Sequence, residues 1–233
     1  MHFGENFYFH HIPRTGGTSI VNALYDSGSL PYKDIDLLPS AHSTLEPDVD
    51  EYTFTIVRNP FDRLVSCYYH NVYGKRNYNN SYVLFFDITF EEWFEYVFYG
   101  FKDKIISKQP IKLPNYIQRV PKRYEIDNSL ESLKFGVEPQ VLYLGLSLRD
   151  NNYMLPIGDF RDVLKNVDVF PFETLDQSWC KIAENIGIEI SQIKHINKSE
   201  RKLKNYKHYF SQDLRNETEK NYSLDFAMFD YDW

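Results

Sequence analysis

The sequence predicts an α/β fold, a mostly parallel sheet flanked by helices, and two observations predict it. Residues 7–20 (FYFHHIPRTGGTSI) and 52–70 (YTFTIVRNPFDRLVSCYYH) each read as an apolar run, a tight polar turn and an amphipathic helix. Residues 168–172 (DVFPF) followed by an amphipathic stretch over 175–186 repeat that order near the other end of the chain. Strands that alternate with helices do not pair as hairpins. They pair in parallel, and the crossover helices cover the faces of the sheet.

The elements follow in order. The first strand is read over residues 7–12 and its helix over 17–27. A loop rich in Pro, Asp and Ser then passes Leu37 and Leu38 to reach His42. The second strand covers 52–57. Pro60 falls in the first turn of the next helix, where a missing N–H costs nothing, and that helix runs to about residue 72. After the polar run GKRNYNN, residues 89–99 predict an amphipathic helix, with Thr89 as N-cap and Glu91 and Glu92 in the first turn. Residues 100–138 mix prolines, lysines and isolated apolar residues and read as an insertion. Residues 139–146 (PQVLYLGL) read as strand or extended chain, and 168–172 as a third parallel strand. The helix over 175–186 stops at Gly187. From about Tyr206 the chain reads as helical, ending in the aromatic cluster FAMFDYDW. No internal repeat, low-complexity tract or linker interrupts the pattern, so residues 1–233 read as a single domain.

Composition narrows the function. A chain of 233 residues can bury a substantial core. Its aromatic share is 17%, carried by 19 Tyr and 18 Phe. Those rings either fill core and edges in place of Leu or, for some tyrosines, stack on sugar rings. A net charge of −7 argues against a general nucleic-acid binder, which would be basic. The charge is uneven, however. Between Lys194 and Phe210 stand Lys194, Lys198, Arg201, Lys202, Lys204 and Lys207 against one acid, Glu200. That stretch is either a solvated face or an anion contact. Cys67 and Cys180 both read as small buried hydrophobes, with no disulfide framework. No apolar run is long enough to span a bilayer, and no charged-then-apolar leader precedes the first strand. Sequons at Asn79, Asn197, Asn216 and Asn221 are weak signals in an Asn-rich chain.

The chemistry lies in the two strand-to-helix turns. Arg14, Thr15, Gly16, Gly17, Thr18 and Ser19 make a phosphate cradle: glycines let backbone approach an anion, helix-start N–H groups point at it, and hydroxyls and a guanidinium complete the shell. In the second turn Arg58 ends the strand, and Ser66 follows on the helix face that also carries Asp62. Anion sites at two neighbouring strand ends suit a nucleoside with phosphates at both ends. A P-loop kinase is a weaker fit. The Walker pattern needs a lysine after the glycines, and none follows Gly16 and Gly17; nor does an Asp for Mg²⁺ stand clearly after a strand.

Pro13-Arg14-Thr15-Gly16-Gly17-Thr18-Ser19 and Arg58-Asn59-Pro60-Phe61-Asp62-Arg63-Leu64-Val65-Ser66 resemble the P-[KR]-[TS]-G-[GT]-T-[ST] and R-[ND]-P-x-x-R-x-x-S elements of the sulfotransferases that use 3′-phosphoadenosine 5′-phosphosulfate (PAPS). The likeness is greatest to the membrane-associated carbohydrate enzymes, including the heparan 2-O and 6-O sulfotransferases. The resemblance implies the P-loop-like sulfotransferase fold and sulfuryl transfer from PAPS to an acceptor hydroxyl, on a carbohydrate, with no metal. It implies that Arg14, Thr15, Gly16, Gly17, Thr18 and Ser19 hold the 5′-phosphosulfate, and that Arg58 and Ser66 hold the 3′-phosphate. Arg14 then meets the charge on the leaving oxygen. Most carbohydrate enzymes carry Lys at that place; the tyrosylprotein sulfotransferases carry Arg, as here.

In the 2-O and 6-O type enzymes a histidine between the two elements is the general base, and the segment PSAHSTL puts His42 there. His10, His11 and Glu46 are the rivals. The segment HINKSERKLKNYKHYFSQDLRNETEKNYSLDFAMFDY resembles the family's closing element, an H-x-[NR]-[KS]-[ST] turn followed by a Y-x-x-D-[FY]-x-x-F tail. That likeness assigns donor contacts to Lys198 and Ser199, and less directly to Lys202. Phe172–Leu175 resembles the family's R-F-E-x-L turn, with Pro171 in place of the arginine and Glu173 in a structural role. Acceptor choice falls to residues 100–138, an acceptor-side insertion. The resemblance is compatible with a cytoplasmic enzyme or with a Golgi-luminal catalytic domain lacking its anchor. Two alternatives stay open: an inactive nucleotide- or glycan-binding module on the same fold, and a sulfotransferase for tyrosine or a small metabolite.

Overall fold

The computed structural model describes residues 2–3, 6–30, 51–73, 88–100, 134, 136–144, 164–189, 193–195 and 201–233. These gather into two units. The first comprises Met1–Pro60, Glu138–Lys198 and Tyr222–Asp232, and the second Phe61–Val137, Ser199–Asn221 and Trp233.

The first unit is built on a sheet of β1 (His2–Phe3), β2 (Phe7–His10), β3 (Tyr52–Val57) and β4 (Val167–Pro171), in that spatial order. β2, β3 and β4 run parallel, with Phe9 opposite Phe54 and Phe54 opposite Asp168. β1 is antiparallel to β2 and pairs with Tyr8 and Phe9; the sequence pattern, which starts at Phe7, did not contain it. Alternation sends Phe7, Phe9, Phe54 and Ile56 to one face. There they meet Ile20, Val21 and Leu24 of α1 (Gly17–Asp26), and Leu175, Trp179, Ile182 and Ile186 of α5 (Leu175–Ile186). Val57 and Val169 contribute to a second cluster with Ile12, Val141, Leu144, Met228, Phe229 and Tyr231. That cluster carries α4 (Gln140–Tyr143) and α7 (Ser223–Phe229). The result is a mostly parallel sheet flanked by helices, as the alternation of patterns requires.

Local signals set the helix ends. α1 closes at Gly28, whose φ of +78° is open to glycine at no steric cost; Ser27 and Ser29 donate N–H bonds to Ala23 and Leu24 carbonyls. α5 stops at Gly187, with φ +71°, as expected.

In the second unit α2 (Pro60–Tyr73) contributes from Phe61 onward, with α3 (Phe90–Tyr99) and α6 (Gln212–Asn221). Thr89 caps α3 through a reciprocal pair: its hydroxyl accepts the Glu92 N–H, and the Glu92 carboxylate accepts the Thr89 N–H. The aromatic surplus of the composition is visible here as packing. Tyr68, Phe90, Trp93 and Phe210 pack ring against ring, and Trp233 lies 4.6 Å from Phe61 between ring centroids. Arg63 is fully buried and donates to the carbonyl of Gly136, which also accepts from the Cys67 thiol. Arg201 pairs with the carboxylate of Asp62, and both are largely buried. The basic stretch therefore spends its arginine on the protein itself, while Lys202 and Lys204 remain exposed.

Three expectations are corrected. The first strand ends at His10 rather than residue 12. Residues 139–146 contain the short helix α4 instead of a strand, because the Asp225 carboxylate accepts the N–H groups of Gln140 and Val141 and so anchors its first turn. Val141 and Leu144 then share one apolar face at helical spacing. Cys180 is exposed, not buried: the buried face of α5 passes through Trp179 and Ala183, and the next residue turns outward. Cys67 is buried as expected. The C-terminal stretch is helical in three pieces, a 3₁₀ turn at Tyr206–Tyr209, then α6, then α7. The insertion over 100–138 lies mostly outside the described residues. Among the described residues no helix is long and apolar enough to cross a membrane.

The Tyr52 hydroxyl donates to Asp168 across the β3–β4 pair and accepts from Asn185. Burial pushes its pKa up from 10.0 to about 12, with Asp168 adding to the rise and Asn185 opposing it. A phenol with a folded pKa above its unfolded one stabilises fully below the lower value, and that stability is lost as pH climbs through the upper one. The stability gap between wild type and Tyr52→Phe should thus be widest below pH 10 and close towards pH 12. Denaturant midpoints of the two proteins across that window check it; a constant gap would refute it.

Candidate active site

The turn after β2 is wound tightly. Arg14 and Gly16 both sit in the left-handed region, at φ +67° and +94°. For arginine that conformation costs about 1–2 kcal/mol, so the surroundings must hold it. The buried Thr15 hydroxyl donates to the Ile12 carbonyl at 2.9 Å and folds the turn back on the strand. α1 begins at once, and the N–H of Ser19 reaches the carbonyl of Gly16 at 2.9 Å. Gly16, the N-cap, brings no capping side chain, and the first turn holds no carboxylate. The start of the helix therefore carries the positive end of the helix dipole with no carboxylate of its own beside it, an arrangement chemically suited to an anion.

The two glycines are fixed by packing as well as by backbone freedom. A Cβ at Gly17 would lie 1.9 Å from the His11 ring, and one at Gly16 would lie 2.7 Å from the Phe172 ring. A side chain in either place requires the neighbouring ring to move. His11 is buried and packs against Phe9, while His10 is wholly buried in β2.

Arg58 follows β3. Its Nη1 donates to the carbonyl of Arg14 at 3.1 Å, and its guanidinium carbon stands 4.2 Å from the centre of the Phe172 ring. Phe172 itself follows β4, so the C-terminal ends of β2, β3 and β4 meet around one ring. The main chain of Arg58 is held by Gln140, whose amide accepts the Arg58 N–H and donates to its carbonyl, both at 2.8 Å. Glu173 accepts the Asn59 N–H with one oxygen and the Tyr231 hydroxyl with the other, each at 2.8 Å. Burial, with Glu173 close by, pushes the Tyr231 pKa far above its ordinary value, and Arg58 partly opposes that. Tyr231 is a fixed donor here.

A sequence model of the family described as "Sulfotransferase family" matches residues 4–232. The chain belongs to the sulfotransferase family. No curated protein and no solved structure matches it. Sulfuryl transfer from a sulfuryl donor to an acceptor is the reaction of that family, and this sulfotransferase carries the matching α/β fold.

Within the sulfotransferase, Arg14, Thr15, Gly16, Gly17, Thr18, Ser19 and Arg58 gather at the strand ends of the first unit. Ser66 is a buried residue of α2 in the second unit, and Lys202, exposed in that unit, donates its N–H to the Tyr69 hydroxyl. His42, Glu46, Lys198 and Ser199 lie outside the described residues. Among the described residues no group of His, Cys, Asp and Glu is placed to hold a metal ion. Sequence reasoning missed Phe172 as the plate under Arg58, and Gln140 as the clamp on its main chain. A phenylalanine preceding Glu173 was visible in the pattern, but nothing local said what it would touch.

Gly17→Ala should lower stability by about 1–3 kcal/mol, the cost of forcing a methyl into a filled space. Adding His11→Ala should return part of that loss. Thermal melts of the two single variants and the double variant close the cycle, and strict additivity would contradict the contact.

Proposed function

We propose that this sulfotransferase moves a sulfuryl group from PAPS to an acceptor hydroxyl on a carbohydrate, by in-line transfer with His42 as general base. The observation that supports it most is the Arg58–Arg14 hydrogen bond beside the uncapped start of α1. It brings two guanidinium-bearing turns to adjoining strand ends, the arrangement a nucleotide phosphorylated on both sides of its ribose needs. The residues fit such a donor: glycines that admit backbone close to an anion, a helix end without a cap, hydroxyls at Thr18 and Ser19, and arginines at 14 and 58.

Bound there, PAPS supplies the activated sulfuryl group. Thr15, Gly16, Gly17, Thr18 and Ser19 bind the 5′ side through backbone N–H groups and hydroxyls. Arg14 stabilises charge on the leaving oxygen as a charged hydrogen-bond donor, since a guanidinium does not give up its proton near neutral pH. Arg58 binds the 3′-phosphate, with Ser66, Lys198 and Ser199 assigned to the same nucleotide by their motifs. His42 enters from its sequence position: an imidazole titrates near working pH and suits removal of a hydroxyl proton. Sulfuryl transfer, like phosphoryl transfer, depends on positioning and electrostatics, and these residues supply both without a metal being required in principle. The net charge of −7 favours an acceptor that is not densely sulfated. Arginine at position 14 supports a second reading, in which the acceptor is a tyrosine or a small metabolite; acceptor profiling separates the two.

Titration calorimetry with adenosine 3′,5′-bisphosphate tests the donor site. Arg58→Ala should weaken binding by about 2–4 kcal/mol, the loss of a charged partner to a phosphate. A folded wild type that does not bind the bisphosphate would sink the reading. If binding persists without turnover on any acceptor, the chain is a binding module instead.

Arg14→Gly separates chemistry from folding. Relief of roughly 1 kcal/mol of left-handed strain opposes the greater freedom of glycine in the unfolded chain, so the melting temperature should stay close to wild type. Turnover should fall roughly a hundredfold or more, because a donor to the leaving oxygen is gone. Unchanged turnover would remove Arg14 from the mechanism.

A further inference from the structure

The sequence singled out the tail Y-x-x-D-[FY]-x-x-F, here Tyr222 to Phe229, and the proposed reaction gives it no part. Its aspartate, Asp225, is wholly buried. A buried carboxylate is costly unless N–H donors surround it. Asp225 accepts from the Gln140 N–H at 2.8 Å, the Val141 N–H at 3.0 Å and the Gln140 side-chain Nε2 at 3.2 Å. The last of these fixes which way the amide of Gln140 faces. With Nε2 turned towards Asp225, Oε1 meets the N–H of Arg58, and Nε2 also reaches the Arg58 carbonyl. Gln140 is itself fully buried, so water does not compete for these bonds.

The position matters because the β3–β4 ladder ends at Val57 opposite Pro171. Arg58 is the first residue beyond it, where a strand's N–H and C=O ordinarily turn to solvent or loop. Gln140 stands in for the missing neighbouring strand. The side chain of Arg58 is held separately, by the Arg14 carbonyl and the Phe172 ring. Main chain and guanidinium are thus each fixed by their own partners.

We propose that Gln140 and Asp225 are positioning residues for Arg58, and that the Asp225–Gln140–Arg58 chain of hydrogen bonds sets the preference for a nucleotide bearing a 3′-phosphate. This deepens the donor-site reading and rests on it, since Arg58 is the 3′-phosphate ligand there.

The test compares adenosine 3′,5′-bisphosphate with adenosine 5′-monophosphate by calorimetry on wild type, Gln140→Met and Arg58→Ala. Gln140→Met keeps the volume and removes both bonds to the Arg58 main chain. The ratio of the two dissociation constants should shrink about tenfold in Gln140→Met, through the bisphosphate alone, and collapse in Arg58→Ala. A purely structural role for Gln140 would weaken both ligands by the same factor and leave the ratio unmoved; that result, or an unchanged ratio in a folded variant, overturns the proposal while the donor site stands. A wild type that does not discriminate, or an Arg58→Ala that still does, overturns the donor-site reading and this proposal together. If Gln140→Met does not fold, Asp225→Asn takes its place. It keeps the shape, loosens the hold on the Gln140 amide, and should lower the ratio in the same direction.

Discussion

The contact between Phe172 and the turns around it is the constraint on which the candidate site depends. Its ring fills the space that a side chain at position 16 would need and lies under the guanidinium of Arg58. Three strand ends distant in sequence are thereby brought to a common spacing. A guanidinium over an aromatic face keeps its charge and its outward donors while losing the freedom of a long side chain. Arg58 then spends one donor on the carbonyl of Arg14, which helps hold that residue in a conformation arginine rarely adopts. Each turn is rigid because the other is present.

Much of this was legible in the chain. β3 and α5 stand where an apolar run before a polar turn, an amphipathic repeat and a terminal glycine put them. Thr89 was readable as a cap because a cap is a matter of three neighbouring residues. Gly16 and Gly17 were read as anion-loop glycines, yet the rings of His11 and Phe172 also crowd a side chain at those places, and the Phe172 contact links residues far apart in sequence. Residues 139–146 failed for a related reason. An apolar run with a proline in front suits a strand until a carboxylate at position 225 arrives to anchor a helical turn. Partners 82 to 85 residues apart leave no local trace.

The second unit shows the same limit for charge. A run of cations suggests an anion, but counting charges does not say which cation is already engaged. Arg201 is turned inward to Asp62, the lysines beside it face solvent, and the loop around them is tied down by hydroxyls of Tyr69 and Tyr209. Buried ion pairs of this kind fix geometry more than they add stability. Tyrosine is useful in such a unit because one residue fills a core and ends in a hydrogen bond, and Tyr68 and Tyr69 both do so.

Helix α1 starts on a glycine without a cap and has no acidic residue in its first turn. A helix built this way has no side-chain cap of its own. The donor proposed for that place would stand where a serine or aspartate stands in other helices, and its binding energy would become part of what holds the β2–α1 turn in shape. On the proposed donor site, occupancy and folding are two readings of one equilibrium: release of the donor would return the protein to a state whose first helix lacks its outside partner.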